Sequence, residues 1–216
     1  MKAVIVCNGS IRDYSYMKGY FDNAGLIVCA DGGAAHLRRF DVVPHVLLGD
    51  FDSIDEEDLR CFEAKGVEIV NFPAEKDMTD TELAVELAVG RGSRTVIILG
   101  GVGNRLDHSL SNVFLLKKLL DIGVKGIIAD ESNEITIIND SIELDREENI
   151  TVSLLPLSER VEGVTTRGLY YPLKDATMEL GSTWGVSNKF SESTACVAIK
   201  KGLLLVIKSR EDKKEP

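Results

Sequence analysis

Six short apolar runs, separated by helical patterns and by glycine- and acid-rich turns, constrain the fold of this chain more than any other feature. They lie at residues 3–7, 26–30, 46–48, 68–71, 95–99 and 126–129. Their unbroken apolar character suits strands covered on both faces, as in a parallel sheet. Three intervening segments carry legible helix ends. Residues 54–65 follow a Ser53 cap, with Glu56 completing a capping box, and stop at Gly66. Residues 80–89 follow Thr79, with Glu82 completing a second box, and stop at Gly90; residues 108–120 follow Asp107 and end before Gly123. Strand and helix in alternation predict an α/β domain with three layers and right-handed crossovers over residues 1–132.

From residue 133 the pattern changes. Short strand-like runs at 134–138, 141–144, 149–155, 161–166, 177–180, 194–200 and 203–208 follow one another with no helical period between them. Residues 133–216 therefore read as a small antiparallel β-sandwich, with Asn139-Asp140 and Lys201-Gly202 as hairpin turns. Residues 210–216 read as a charged, frayed end.

The chain has 216 residues, 44% of them hydrophobic, enough to bury one substantial core or two small ones. A formal net charge of −10 disfavours duplex nucleic acid and anionic membrane surfaces as partners. The four cysteines, Cys7, Cys29, Cys61 and Cys196, have no zinc or C-x-x-C spacing, and Cys7 and Cys29 fall inside apolar strands. The apolar stretch at residues 1–9 is too short for a signal sequence. These features together predict a soluble, reduced, cytoplasmic protein.

Chemistry concentrates where strands end. Asp50-Phe51-Asp52-Ser53 follows the third run, and in extended backbone the two aspartates would share a face. Two carboxylates placed together repel, and a divalent cation such as magnesium relieves that repulsion while bridging to phosphates. The alternative is an acidic turn capping the next helix. Asp31-Gly32-Gly33 follows the second run, Lys76-Asp77-Met78-Thr79-Asp80 precedes a helix, and Gly100-Gly101-Val102-Gly103-Asn104-Arg105-Leu106-Asp107-His108 follows the fifth run. Each has a plain structural reading: a turn for Asp31, a helix-dipole partner for Asp80, an N-cap for Asp107. In a parallel sheet, however, all of them gather at the carboxyl edge, where ligands bind. Glycines near residue 100 would let backbone approach a ligand, and Arg105 offers a fork for phosphate oxygens. The run lacks the third glycine of a dinucleotide fingerprint, since Leu106 stands there. His108 reads as a surface residue beside a cap or as a nucleotide contact; His36 and His45 read as structural.

Taken in order, Ala30-Asp31-Gly32-Gly33-Ala34, Gly49-Asp50-Phe51-Asp52-Ser53, Lys76-Asp77-Met78-Thr79-Asp80, Gly103-Asn104-Arg105-Leu106-Asp107-His108, Gly168-Leu169-Tyr170-Tyr171-Pro172-Leu173 and Gly185-Val186-Ser187-Asn188 resemble the thiamine pyrophosphokinases. The resemblance spans nearly the whole chain. It implies transfer of a diphosphate from ATP to thiamine by a homodimer whose active sites lie between subunits. It implies that Asp50, Asp52 and Asp80 hold magnesium, with Asp77 nearby as a further catalytic acid. Asp31, Gly32, Gly33, Asn104, Arg105, Asp107 and His108 would meet ATP, and Ser187 and Asn188 the thiamine. Lys76 falls where some relatives carry a neutral glutamine. Trp184, the single tryptophan, is either a core anchor of the sandwich or a stacking surface for a flat cationic ring. Two rival readings share these motifs: a pyrophosphokinase for another alcohol, such as a hydroxymethylpterin, and a nucleotide- or thiamine-binding module without chemistry.

Overall fold

The computed structural model describes residues 1–210; the expected frayed tail beyond Arg210 lies outside the described residues. The chain divides into two compact units, Met1–Glu131 and Ser132–Pro216.

In the first unit the elements run β1 (Lys2–Val6), α1 (Tyr14–Met17), β2 (Leu26–Ala30), α2 (Ala34–Phe40), β3 (Val46–Gly49), α3 (Glu56–Ala64), β4 (Glu68–Asn71), α4 (Asp80–Gly90), β5 (Thr95–Leu99), α5 (Leu106–Asp121) and β6 (Lys125–Ala129). The strands are all parallel, in the order β6-β5-β1-β2-β3-β4. Because side chains alternate along a strand, each strand feeds two cores. Val4, Val6, Ile27, Cys29, Leu47, Ile97 and Leu99 share one with Ala34, Leu37 and Phe40 of α2 and Phe62 of α3. Their neighbours Ala3, Ile5, Val28 and Ile98 are equally buried. Against that second face pack α4, on β1, β2 and β3, and α5, on β6. These are the three layers the sequence predicts. β4 departs furthest from two-sided burial: Ile69 and Val70 are half-buried and Glu68 and Asn71 exposed, as befits an edge strand.

Several element ends differ from the sequence reading. Helix α3 begins two residues later, capped by Asp55, whose side chain accepts from the Glu57 N–H at 2.9 Å. Ser53 instead donates to Asp52. Thr79 does cap α4, but Glu82 turns away to pair with Lys118, so the box is half-formed. Helix α4 runs through Gly90 to an Arg91 cap. Helix α5 starts at Leu106 with no side-chain cap, placing Asp107 in its first turn rather than at its cap. The short helices α1 and α2 have no counterpart in the sequence reading.

The second unit contains β7 (Asn133–Ile138), β8 (Ser141–Asp145), β9 (Ile150–Pro156), β10 (Arg160–Arg167), β11 (Ala176–Glu179), β12 (Asn188–Lys189), β13 (Thr194–Ala198) and β14 (Leu204–Arg210). Two antiparallel layers, β12-β9-β14-β7 and β11-β10-β13-β8, enclose a core of Leu144, Val152, Leu154, Val161, Val164, Met178, Val197, Leu204 and Val206. The two expected hairpins are not hairpins. β7 pairs with β14, and β8 pairs with β13. Asn139-Asp140 and Lys201-Gly202 therefore carry the chain from one layer to the other, Gly202 at a φ of +103°.

Candidate active site

The strand order 4-3-2-1-5-6 reverses direction between β1 and β5, and ligands of such sheets bind beyond the carboxyl ends of the strands near that point. The loops following β1 and β5 lie against each other there: Cys7 N–H donates to Leu99 O at 2.8 Å and Gly9 N–H to Gly100 O at 2.9 Å. A Cβ on Gly9 would stand 2.2 Å from Gly100 O, and one on Gly100 2.5 Å from Cys7 O. Gly9 and Gly100 thus let two backbone segments meet. His36 braces the same loop. Its Nε2 donates to Gly9 O at 2.7 Å, which leaves Nδ1 to accept from the Tyr14 hydroxyl at 2.6 Å, and burial holds its pKa below the ordinary histidine range.

Asp31 sits one residue past β2 in a single 3₁₀ turn with Gly32 and Gly33, at a φ of +43°. Gly33 presses on β1 so closely that a Cβ there would lie 2.2 Å from Val6 O. Since Ala30 is in register with Leu48, Asp31 emerges beside Gly49 and Asp50. Asp50 and Asp52 do come together, but not by strand alternation. Phe51 has a φ of +62°, and the Asp52 N–H donates to Asp50 Oδ1 at 3.3 Å, an Asx turn.

The result is a cluster in which Asp31, Asp50 and Asp52 each offer a carboxylate oxygen within 4.8 Å of the others. Asp31 Oδ1 is buried without a hydrogen-bond partner. Burial pushes the Asp31 carboxyl above the usual carboxylate range, with Asp80 and Asp52 adding repulsion against hydrogen bonds from Ser53 and Gly32. Asp50 is held below that range, chiefly by the Asp52 N–H and then by Lys76, against the opposing pull of burial. Among the described residues this grouping does not include Asp80, the expected third metal ligand. Asp80 is joined to the cluster through Lys76, whose Nζ lies 3.2 Å from Asp50 Oδ2 and 3.0 Å from Asp80 Oδ1. Burial alone would lower the Lys76 pKa, and the carboxylates of Asp80 and Asp50 reverse that and raise it. Asp77 is solvent-exposed.

The start of α5 supplies the remaining expected residues of this unit. Asn104, Arg105, Asp107 and His108 are all exposed. Arg105 does not stand free: its Nη2 donates to Asp107 Oδ2 at 2.6 Å, which holds the Asp107 carboxyl down at about 2. Two residues that sequence reasoning missed fix this loop. Asn112 Nδ2 donates to Gly101 O at 2.7 Å from a buried position, and Ser109 Oγ accepts from Gly103 N–H at 3.1 Å and donates to Arg105 O. Their signal was their spacing, one and two helical turns into an amphipathic helix where polar residues would not be expected inward.

In the second unit the segment 184–188 is tied to β9. Leu154 N–H donates to Gly185 O at 2.9 Å, and Ser187 N–H to Ser153 Oγ at 3.0 Å, with Ser187 at a φ of +59°. Trp184 is 54% exposed, which overturns its reading as a core anchor. Tyr170 and Tyr171, stacked edge to face at 4.9 Å, are also exposed. Asn188 is buried, and its side chain is engaged within the chain. Oδ1 accepts from Tyr171 N–H at 3.0 Å and from Lys189 N–H at 2.9 Å, and Nδ2 donates to Tyr171 O at 2.8 Å.

Comparison with known proteins agrees with this division. A family described as "Thiamin pyrophosphokinase, catalytic domain" matches residues 17–128, and one described as "Thiamin pyrophosphokinase, vitamin B1 binding domain" matches residues 139–204. The chain is 32% identical to a thiamine pyrophosphokinase of Bacillus subtilis, over 98% of this chain and all of the relative. It also superposes on the crystal structure of the thiamine pyrophosphokinase from Bacillus subtilis with a TM-score of 0.90, at 30% identity over 98% of this chain and all of that one. The enzyme from Geobacillus thermodenitrificans gives 0.85, again at 30% identity, over 99% of each chain.

Proposed function

The chain belongs to the thiamine pyrophosphokinase family, and on that premise we propose that it transfers a diphosphate group from ATP to the hydroxyl of thiamine, giving thiamine diphosphate and AMP. The observation that carries the site assignment is the meeting of Asp31, Asp50 and Asp52 within 4.8 Å, one of them with a buried, unpartnered oxygen. Like charges at that separation are destabilising unless a cation joins them. The donors are all hard oxygens, with no imidazole or thiolate among them, which suits magnesium better than a softer metal. When bound, the metal neutralises phosphate charge and fixes the triphosphate for in-line attack.

The chain's own residues do the rest. The thiamine hydroxyl oxygen attacks the β-phosphorus and gives up its proton to solvent, the bond from that phosphorus to the oxygen bridging the α-phosphate breaks, and AMP leaves with that oxygen. Asp31, Asp50 and Asp52 would hold the cation, with Asp80 behind Lys76. Arg105 exchanges its Asp107 partner for phosphate oxygens at the amino end of α5, where helix N–H groups also favour an anion. Gly32 and Gly33 keep the Asp31 turn against β1. Exposed Trp184 and the Ser187 hydroxyl contribute to thiamine binding, the indole face attracting a cationic ring. Asn188 acts at one remove, by fixing the Tyr171 backbone. The match to a vitamin B1 binding domain favours thiamine over a hydroxymethylpterin as the accepting alcohol. The working assembly is a homodimer in a reducing, cytoplasmic setting, which four unpaired cysteines suit. No helix among the described residues is long and apolar enough to cross a membrane.

The test is to incubate the protein with ATP, magnesium and thiamine and resolve the products. AMP formed in step with thiamine diphosphate supports the reading. ADP, or AMP released without thiamine, refutes it.

A further inference from the structure

Lys76 is placed unusually for a lysine. Its side chain is only 13% exposed, as against 16% for Asp50 and 25% for Asp80, and its ammonium lies between those two carboxylates. A surface ion pair of that kind would contribute little and would not need burial. Here the lysine is the one cation in contact with the acidic group among the described residues, and it takes the Asp50 oxygen that the Asp52 N–H leaves open. With Asp31, Asp50, Asp52 and Asp80 ionised the cluster carries four negative charges, and Lys76 offsets one of them.

We propose that Lys76 is a built-in counter-cation that keeps the aspartate cluster from binding a divalent metal on its own, so that metal and nucleotide enter together. The inference rests on the metal reading given above. A free divalent ion settling between Asp50 and Asp52 meets a fixed positive charge already on Asp50, and the two repel at a range of a few ångströms. A metal–triphosphate complex brings its own negative oxygens. The ammonium, a compact charge on a flexible stem with three rotatable donors, turns from Asp50 to those oxygens. The same group thus opposes the bare ion and favours the complex. Lys76 acts on the metal through Asp50 and Asp80, and is a positioning residue until nucleotide arrives.

The experiment titrates Mn²⁺ into the full-length, nucleotide-free protein and follows the loss of the free-ion electron paramagnetic resonance signal. It is then repeated with a non-hydrolysable ATP analogue. Removing a unit charge this close should tighten binding of free Mn²⁺ by about tenfold in Lys76→Met, while weakening uptake of the Mn²⁺–analogue complex. Lys76→Gln carries the same expectation should the apolar side chain disturb folding. Lys76→Arg, which keeps the charge, should bind free Mn²⁺ as the parent does. Unchanged or weaker Mn²⁺ affinity in both neutral variants overturns the proposal. So does tightening in Lys76→Arg equal to that in Lys76→Met, since the effect would then come from packing. An Asp52→Asn control that binds the Mn²⁺–analogue complex as well as the parent would overturn the metal reading itself, and this inference with it.

Discussion

Replacing Asn188 by alanine separates two roles that its place in the chain makes equally plausible: contact with thiamine, or support of the loop beside it. The side chain makes three hydrogen bonds, two accepted from Tyr171 and Lys189 N–H groups and one donated to Tyr171 O, at 2.8 to 3.0 Å. Each such bond contributes about 1 kcal/mol net, and a buried group left unpaired costs at least that. Alanine therefore removes about 3 kcal/mol, which in a protein of 216 residues lowers the melting temperature by about 6–12 °C. Asn188→Asp keeps the acceptor but sets a carboxylate oxygen against Tyr171 O, so it should be no milder. Thiamine KM should rise in both as the Tyr170–Tyr171 pair loses its anchor, with ATP KM little changed. The assays are thermal unfolding by circular dichroism and steady-state kinetics with each substrate varied. An Asn188→Ala protein that melts within about 2 °C of the parent while its thiamine KM rises sharply would refute this reasoning, because the amide would then be spent on ligand.

Asp50→Asn and Asp52→Asn should each lower turnover about a hundredfold or more with the circular dichroism spectrum unchanged, as expected when a preorganised electrostatic group is lost; near-normal turnover in either removes it from the site. Gly33→Ala drives a Cβ to 2.2 Å from the Val6 carbonyl, which is backbone and cannot yield. It should cost about 2–3 kcal/mol in urea denaturation and lower activity by displacing Asp31; an unchanged midpoint would show that the turn accommodates a methyl group. Burial pushes the Cys7 thiol up to about 11 and raises Cys29 as well, so at pH 8 both stay protonated in the folded protein. Iodoacetamide should reach Cys61 and Cys196 first, and mass spectrometry showing Cys7 alkylated as fast as in the denatured chain would contradict that.

Most strands of the first unit were legible because their runs are apolar on both faces, as in Leu26–Ala30 and Thr95–Leu99, whose ends match the sequence reading; the edge strand Glu68–Asn71 also has the ends the sequence suggested, although only its central Ile69 and Val70 are apolar. Helix α2 was not, since the glycines before it read as a loop when they in fact serve the close pass of Gly33 against β1. The crossings at Asn139-Asp140 and Lys201-Gly202 look locally like hairpin turns, and nothing in a turn says which layer the next strand joins. In the site, Asp50 and Asp52 were paired for the wrong reason: a left-handed Phe51 turns them together. That Asp31 joins them depends on β2 lying beside β3, a fact of strand order that no local pattern carries. Trp184 was open from sequence because a lone tryptophan fits a core or a binding surface; its exposure removes the core reading.

Acids from the ends of β2 and β3 are expected to share one cation with the triphosphate. The most direct measurement is anomalous diffraction from crystals grown with Mn²⁺ and a non-hydrolysable ATP analogue. The expected result is a manganese peak about 2–2.5 Å from carboxylate oxygens of Asp50 and Asp52, within reach of Asp31, with phosphate oxygens completing its shell. A peak away from these three residues, or bound nucleotide whose phosphates lie elsewhere, would contradict it.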